Sequence, residues 1–416
     1  MREKDSRPRV DSDTEDEPVS KRSRVNDDQP TISQGDDVHQ PAVSQPSAAD
    51  VDNHPPKGLL SLSDDILLHL LSYVNIEDLL ALGESDDRLR AIADDKAFWR
   101  ICDLRPRILD LPTQLAIARG LKPATSLFAT RGPVGTLSDP NAAKQPTWTL
   151  DCMLALTKEA PNLKTLIIES HVIDCASILI EHFPRSVEVL SLRNCDFLNV
   201  PTQRSYFMNV HSSLTSLKSL DLTDCSWFSS HSLLALSKCF PLEELVLTGC
   251  EMYQCMPYAS LAANYGFPNL RLLDLRNTAV GDSDVTCFNR MDSLRHLYLS
   301  PPSSAGNTTG GGQRFSCNVT DFSVCTFGVS PMIRRRIIHP TGIFGPMQDA
   351  DGLPSQLESL VLNGYPGVTD LSLEHVALAM SKLKLLDVTG TSVTVRGIAQ
   401  FRAARPQVQL ISSHNE

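Results

Sequence analysis

One spacing constrains this chain more than any other feature, the order Leu-x-x-Leu-x-Leu met at Leu217-Leu220-Leu222 and again at Leu242-Leu245-Leu247. The same frame stands at Leu163-Leu166-Ile168, Val187-Leu190-Leu192, Leu270-Leu273-Leu275, Leu294-Leu297-Leu299, Leu357-Leu360-Leu362 and Leu383-Leu386-Val388. Leu-x-Leu in extended backbone sends alternate side chains to opposite faces, so the leucines share one face and the residues between them share the other. A single strand cannot seal its own leucines. Parallel neighbours about 4.8 Å apart close the apolar column, and every frame therefore needs the next.

First residues of successive frames lie 24, 30, 25, 28, 24, 63 and 26 positions apart, by subtraction. Apart from the 63, these intervals lie at or just beyond the period of leucine-rich repeats. The fold class expected is α/β, a leucine-rich-repeat solenoid with a curved parallel sheet inside and helices outside. Helical returns are read from apolar residues three and four apart in SHSLLALSKCF (230–240) and LSLEHVALAMSKL (371–383). Cys195, Cys225 and Cys250 share one repeat position, three residues after the last strand leucine, which His171, Thr278, Pro302, Tyr365 and Thr391 take elsewhere. A small buried thiol suits an inward turn there, and stacked equivalents form a row rather than surround a point, so no metal site is expected. The long interval contains two insertions, near 300–316 and 329–356. Insertions of solenoids emerge on one face, often the binding face. In the second, Arg334 to Arg336 between apolar flanks read either as a grip for an acidic partner or as a solvated turn.

The net charge of -11 disfavours a general nucleic-acid binder. No run of 18 apolar residues marks a membrane span, and the charged start MREKDSRPRV does not read as a signal peptide. A cytoplasmic or nuclear location is the resulting expectation. The eleven cysteines include no Cys-x-x-Cys pair and read as structural thiols. Residues 1–57 lack Phe, Trp and Tyr and show no periodicity, which predicts a disordered tail. SKRSR (20–24) there resembles an import signal, and DSDTEDE (11–17) an acidic phosphorylation context.

The segment 58–104 differs in kind. Ile66, Leu67, Leu70, Leu71 and Val74 fall on one helical face, with Ser63 placed to cap and Asp64 and Asp65 at the positive end of the dipole. Asn75 caps a second helix containing Leu79, Leu80 and Leu82, and Leu89, Ile92 and Ala93 mark a third. Three short helices bury little surface by themselves, which predicts a partner. Leu62, Asp64, Ile66, Leu67, Leu70, Leu71, Ser72, Tyr73, Val74, Glu77, Asp78, Leu79, Leu82, Arg88 and the closing Phe98-Trp99-Arg100 resemble the F-box, a helical module. It departs from that pattern at Ser63, usually Pro, and at Leu89, often Trp. The resemblance implies docking on the Skp adaptor of SCF-type cullin-RING ubiquitin ligases. Its implied contacts are Leu62, Ile66, Leu67, Leu70, Leu71, Tyr73, Val74, Leu79, Leu82 and Trp99. Combined with the cysteine-bearing repeats and the VTD sequences at Val319 and Val368, the whole resembles F-box/leucine-rich-repeat substrate receptors. Residues 105–145 read as a connector, with a helix from Pro112, and 146–416 as the repeat domain.

No His-Glu-x-x-His, Gly-x-Ser-x-Gly or phosphate-binding loop ending in Lys-Ser/Thr is present, and GNTTGGGQ (306–313) lacks the lysine that phosphates require. The expected function is non-catalytic and cofactor-free: recognition of a target protein within a complex of Skp adaptor, cullin and RING subunits, with no nucleic acid and no membrane. The outward residues expected to touch the target are Glu169, Arg193, Asp221, Thr223, Asp274, Arg276, His296, Tyr298, Asn363 and Asp387. The alternative is a leucine-rich-repeat scaffold unconnected to ubiquitin, with the helices capping the stack. Two further readings are an enzyme with an unrecognised site and a co-receptor for a small anion such as an inositol phosphate.

Overall fold

A computed structural model describes residues 58–133, 144–252, 255–303, 318–328 and 355–414. The tail with its two charged motifs, the glycine-rich stretch 306–313 and Arg334 to Arg336 lie outside the described residues.

The chain enters through a 3-10 turn, Leu59–Ser61, followed by α1 (Asp64–Leu71), α2 (Ile76–Ser85), α3 (Asp87–Ala93) and the single turn α4 (Lys96–Trp99). The capping residues set these boundaries. The Asn75 side chain accepts from the Asp78 N–H, that of Asp86 from Arg88 and Leu89, and that of Asp95 from Ala97. Ser63 occupies the corresponding position before α1 but its hydroxyl makes no capping bond, leaving Asp64 and Asp65 as that helix's N-terminal complement.

Next come β1 (Ile101–Asp103), α5 (Leu111–Gly120), β2 (Leu127–Arg131), α6 (Leu150–Glu159), β3 (Thr165–Glu169), β4 (Val172–Asp174), β5 (Val189–Ser191) and β6 (Asp196–Leu198). The pattern continues with α7 (Val210–Ser213), β7 (Ser219–Asp221), α8 (Ser232–Leu236), β8 (Glu244–Val246), α9 (Met256–Tyr265), β9 (Leu272–Leu275), α10 (Asp282–Phe288) and β10 (His296–Leu299). It closes with α11 (Asp321–Val324), β11 (Ser359–Leu362), α12 (Asp370–Ala379), β12 (Leu385–Asp387), α13 (Val395–Ala404) and β13 (Gln409–Ile411). Among the described residues the main sheet runs β1-β2-β3-β5-β7-β8-β9-β10-β11-β12-β13, parallel throughout, and β4 and β6 form a second, two-stranded sheet. This is a leucine-rich-repeat solenoid.

The middle leucines of all eight frames stand in register, Leu166 beside Leu190, Leu220, Leu245, Leu273, Leu297, Leu360 and Leu386, and all are buried. The column extends past the frames at both ends, to Phe128 and Cys102 on one side and Leu410 on the other. The sheet therefore begins at Ile101, inside the segment expected to be helical only, and takes Leu127–Arg131 from the expected connector. Trp99-Cys102-Leu104 and Thr125-Phe128-Thr130 are the same frame with a single leucine between them, and all six residues are buried. Degenerate frames of this kind are invisible to a search for leucine.

After seven strands of the main sheet the backbone turns through a left-handed residue. Ser170, Asn194, Asp224, Gly249, Asn277, Gly364 and Gly390 all have φ between 51° and 74°, a region where Gly, Asn and Asp are tolerated best. At Gly249 a Cβ would lie 2.1 Å from Asp224 Oδ1, so the neighbouring turn also excludes a side chain. The next residue is the cysteine position. Each thiol donates to a carbonyl of the preceding repeat: Cys195 Sγ to Ile168 O at 3.0 Å, Cys225 to Leu192 O at 3.1 Å and Cys250 to Leu222 O at 3.0 Å. Thr278 and Thr391 bond carbonyls of their own repeats, whereas Pro302 is exposed.

Two side-chain ladders run across repeats. Asp282, Asp321 and Asp370 each accept from both the N–H and the hydroxyl of the next repeat's threonine, Thr320, Thr369 and Thr394. Just after the first frame leucine stand Lys164, Glu188, Lys218, Glu243 and Arg271, whose charges alternate. Glu188 pairs with Lys164 at 2.9 Å and Lys218 at 2.8 Å, and Glu243 with Arg271 at 3.8 Å. The two lysines hold the Glu188 carboxyl down at about 2.

Candidate docking surfaces

The leucines of α1 form two adjacent rows. Leu67 and Leu71 are buried and Val74 half-buried, while Ile66, Leu70 and Tyr73 are 49%, 42% and 78% exposed. Spacing of three and four residues places the second row on one side of the helix, beside the first. Leu59 and Leu60, in the preceding turn, add two leucines each 45% exposed. Five large apolar side chains are thus exposed on one small helical unit.

The other walls of the helical unit are closed by the chain itself. Its core is continuous with that of the repeats: Leu67, Leu71, Leu79, Leu89 and Trp99 share one cluster with Ile117, Leu121 and Phe128. Trp99 donates its indole N–H to Ala93 O at 2.7 Å and faces Gly120 of α5, where a Cβ would lie 3.6 Å from the ring. Lys122 sits 5.5 Å from the Trp99 ring centroid and pairs with Asp94 at 2.7 Å. Part of the apolar surface for which the sequence predicts a partner is thus covered instead by the chain's own α5 and β2. Of the ten residues named for docking, Leu67, Leu71, Leu79 and Trp99 are core, Leu62, Val74 and Leu82 are half-buried, and Ile66, Leu70 and Tyr73 face outward. Leu59 and Leu60 are exposed as well, and their only signal was lying just before the helix.

Residues between the frame leucines line the other face of the sheet. Arg193 and Arg276 are exposed, and Asp221, His296, Tyr298, Asn363 and Asp387 half-buried. Glu169, Thr223 and Asp274 are buried. The reason is local pairing. Asp221 accepts from the N–H and hydroxyl of Thr223, Asp387 does the same for Thr389, and Asp274 accepts from the N–H and guanidinium of Arg276. Glu169 lies beneath Arg105 and Arg131, at 3.4 and 3.1 Å. The Asp274 carboxylate raises the Arg276 pKa, and that guanidinium also sits 5.6 Å from the Tyr298 ring centroid. The aspartates therefore fix strand ends, and the most exposed of the ten named residues are Arg193 and Arg276.

Burial pushes the thiols of Cys195 and Cys250 up to about 12 and that of Cys225 well above its usual value, the reverse of an activated nucleophile. Among the described residues no group of three or more His, Cys, Asp or Glu could hold a metal ion, and no helix is long and apolar enough to cross a membrane. His171 is fully buried, with Thr147 Oγ1 at 3.0 Å from Nδ1, Thr130 Oγ1 at 3.4 Å from Nε2 and the Trp148 ring edge-on, and burial lowers its pKa to about 4.

No protein-family model matches the chain. It is 28% identical over 191 residues to the F-box/LRR-repeat protein 12 of Mus musculus, covering 46% of this chain and 56% of that protein. To the Homo sapiens protein of the same name it is 26% identical over 146 residues, covering 33% and 40%. The chain thus spans about half the length of the curated relatives it matches. An internalin from Listeria monocytogenes superposes on 74% of this chain, and on 72% of its own, with 12% identity and a TM-score of 0.41. In sequence, and in carrying leucine-rich repeats, the chain is similar to F-box/leucine-rich-repeat proteins.

Proposed function

We propose that the chain is the substrate-recognition subunit of an SCF-type ubiquitin ligase, itself non-catalytic. The row Ile66, Leu70 and Tyr73, with Leu59 and Leu60, docks on the Skp adaptor, and the outward face of the sheet holds a target protein. The adaptor-bound cullin and RING subunits then bring a charged ubiquitin-conjugating enzyme close to target lysines, and proximity supplies the rate enhancement. The observation that carries this reading is the outward apolar row on a helical unit whose other walls are already sealed.

Co-expression with the Skp adaptor tests it. The native chain is expected to co-purify with the adaptor, and Ile66→Asp/Leu70→Asp to lose it while keeping its melting temperature. A folded native chain that never retains the adaptor would leave the scaffold reading in its place. Leu71→Asp is unsuitable for this test, because Leu71 is core.

A further inference from the structure

The 3-10 turn Leu59–Ser61 contributes two of the five exposed apolar groups named for docking, yet it buries no side chain of its own. Its internal bonds are local, Ser61 N–H to Gly58 O and Leu62 N–H to Leu59 O. Leu62 at its end packs against the core, and its side-chain polar tie to the helices is one guanidinium. Arg88, in the first turn of α3, donates from Nη1 to Leu60 O at 2.5 Å and from Nη2 to Leu62 O at 2.7 Å. The same group is held in plane by Asp64 of α1, whose Oδ1 accepts from Nε at 3.0 Å and Nη2 at 2.6 Å. The Arg88 backbone is in turn fixed by the Asp86 cap. Among the described residues, no other side-chain hydrogen bond reaches Gly58 to Leu62 from outside the segment.

We infer that Arg88 is a positioning residue, a latch that ties the turn carrying Leu59 and Leu60 to α1 and α3 and so fixes these two exposed leucines for docking before any partner arrives. A planar fork with several fixed donors can hold two carbonyls and a carboxylate at once, whereas the point charge of lysine on a flexible stem cannot. Release of the latch leaves α1, α2 and α3 folded, because their contacts lie in the buried cluster, but frees the turn. A docking-competent state that is only fractionally populated weakens apparent affinity by that fraction.

This inference rests on the adaptor reading for its second half only, and two measurements separate them. Backbone amide order parameters in the full chain are expected to be about 0.85 at Leu59 to Leu62 natively and below about 0.6 in Arg88→Ala, with α1 and α3 unchanged. Adaptor Kd is expected to rise roughly tenfold in Arg88→Ala, less in Arg88→Lys, and by an intermediate factor in Asp64→Asn, which keeps one acceptor oxygen. A merely structural role would lower order in the helices as well. An unchanged turn in Arg88→Ala overturns the latch, and a freed turn with unchanged Kd overturns its part in docking. If the native chain binds no adaptor, the proposed function fails and the order parameters alone decide the latch.

Discussion

Helix α1 and strand β7 both owe their place to leucine, and they use it differently. Leu220 and Leu222 of the β7 frame are fully buried, and so are their counterparts in neighbouring repeats. Of the seven large apolar residues of α1 and its C-terminal turn, Ile66, Leu70 and Tyr73 stay outside. A strand alternates with period two, so each residue belongs to one face or the other, and the apolar face is committed to the core. A helix spreads 3.6 residues around each turn, so an apolar stripe wide enough to reach the core carries a second row beside it. The repeat frames bury every one of their leucines, whereas the helical unit keeps a row outside.

The largest test of this contrast falls where the two regions meet. Trp99→Ala is expected to cost about 3–5 kcal/mol, since the ring closes the helical core and opens the first repeat frame. Chemical denaturation should show α1 to α5 and the first strands failing together. Separate transitions would break the picture of one continuous core. A matched pair sharpens it: Leu220→Ala should cost about 2–5 kcal/mol and Leu70→Ala about 0.5 or less, because only the first leaves a cavity. Similar costs would mean that the α1 row is not free.

Acid discriminates the regions in another way. His171 is buried neutral in the repeats, and its pKa falls from 6.5 to about 4 on folding. Between these values the unfolded chain binds a proton that the folded chain refuses, so the contribution is fully present above about 6.5 and is lost as pH falls to 4. Up to about 3 kcal/mol of stability should disappear across that window, and much less in His171→Gln. The smallest effect is expected from Lys218→Ala, an exposed member of the charge ladder. Its melting temperature should shift only at low salt, and any shift surviving 1 M salt would contradict a screened surface pair.

Much of this was legible in the residue order. Eight frames gave eight strands in register, and Asn75 and the spacing around Leu79 and Leu89 gave helices with the expected cap. Missing were β1, β2 and β13, where Cys102, Phe128 and the truncated surroundings of Leu410 replace the leucine pattern while filling the same column. Periodicity marked α1 as amphipathic but could not say which row faced its own chain, because α5 and β2, which provide the wall, lie in the stretch read as a connector. The outward aspartates looked like binding groups from alternation alone. Their partners stand two residues on, at Thr223, Arg276 and Thr389, and a short Asp-x-Thr or Asp-x-Arg pattern was the available signal that they serve the turn instead. The residue before each cysteine, Asn194, Asp224 and Gly249, carried a similar unread mark of the left-handed turn.

The run Lys164, Glu188, Lys218, Glu243, Arg271 gives the stack a parity. Excising one interior repeat would bring Lys164 against Lys218, Glu188 against Glu243, or Lys218 against Arg271, and duplicating one would juxtapose two copies of the same sign. Like charges on directly neighbouring strands repel. Within this run, units are tolerated in twos, a rule that ends at Arg271, whose neighbour on the next strand, Arg295, carries the same sign.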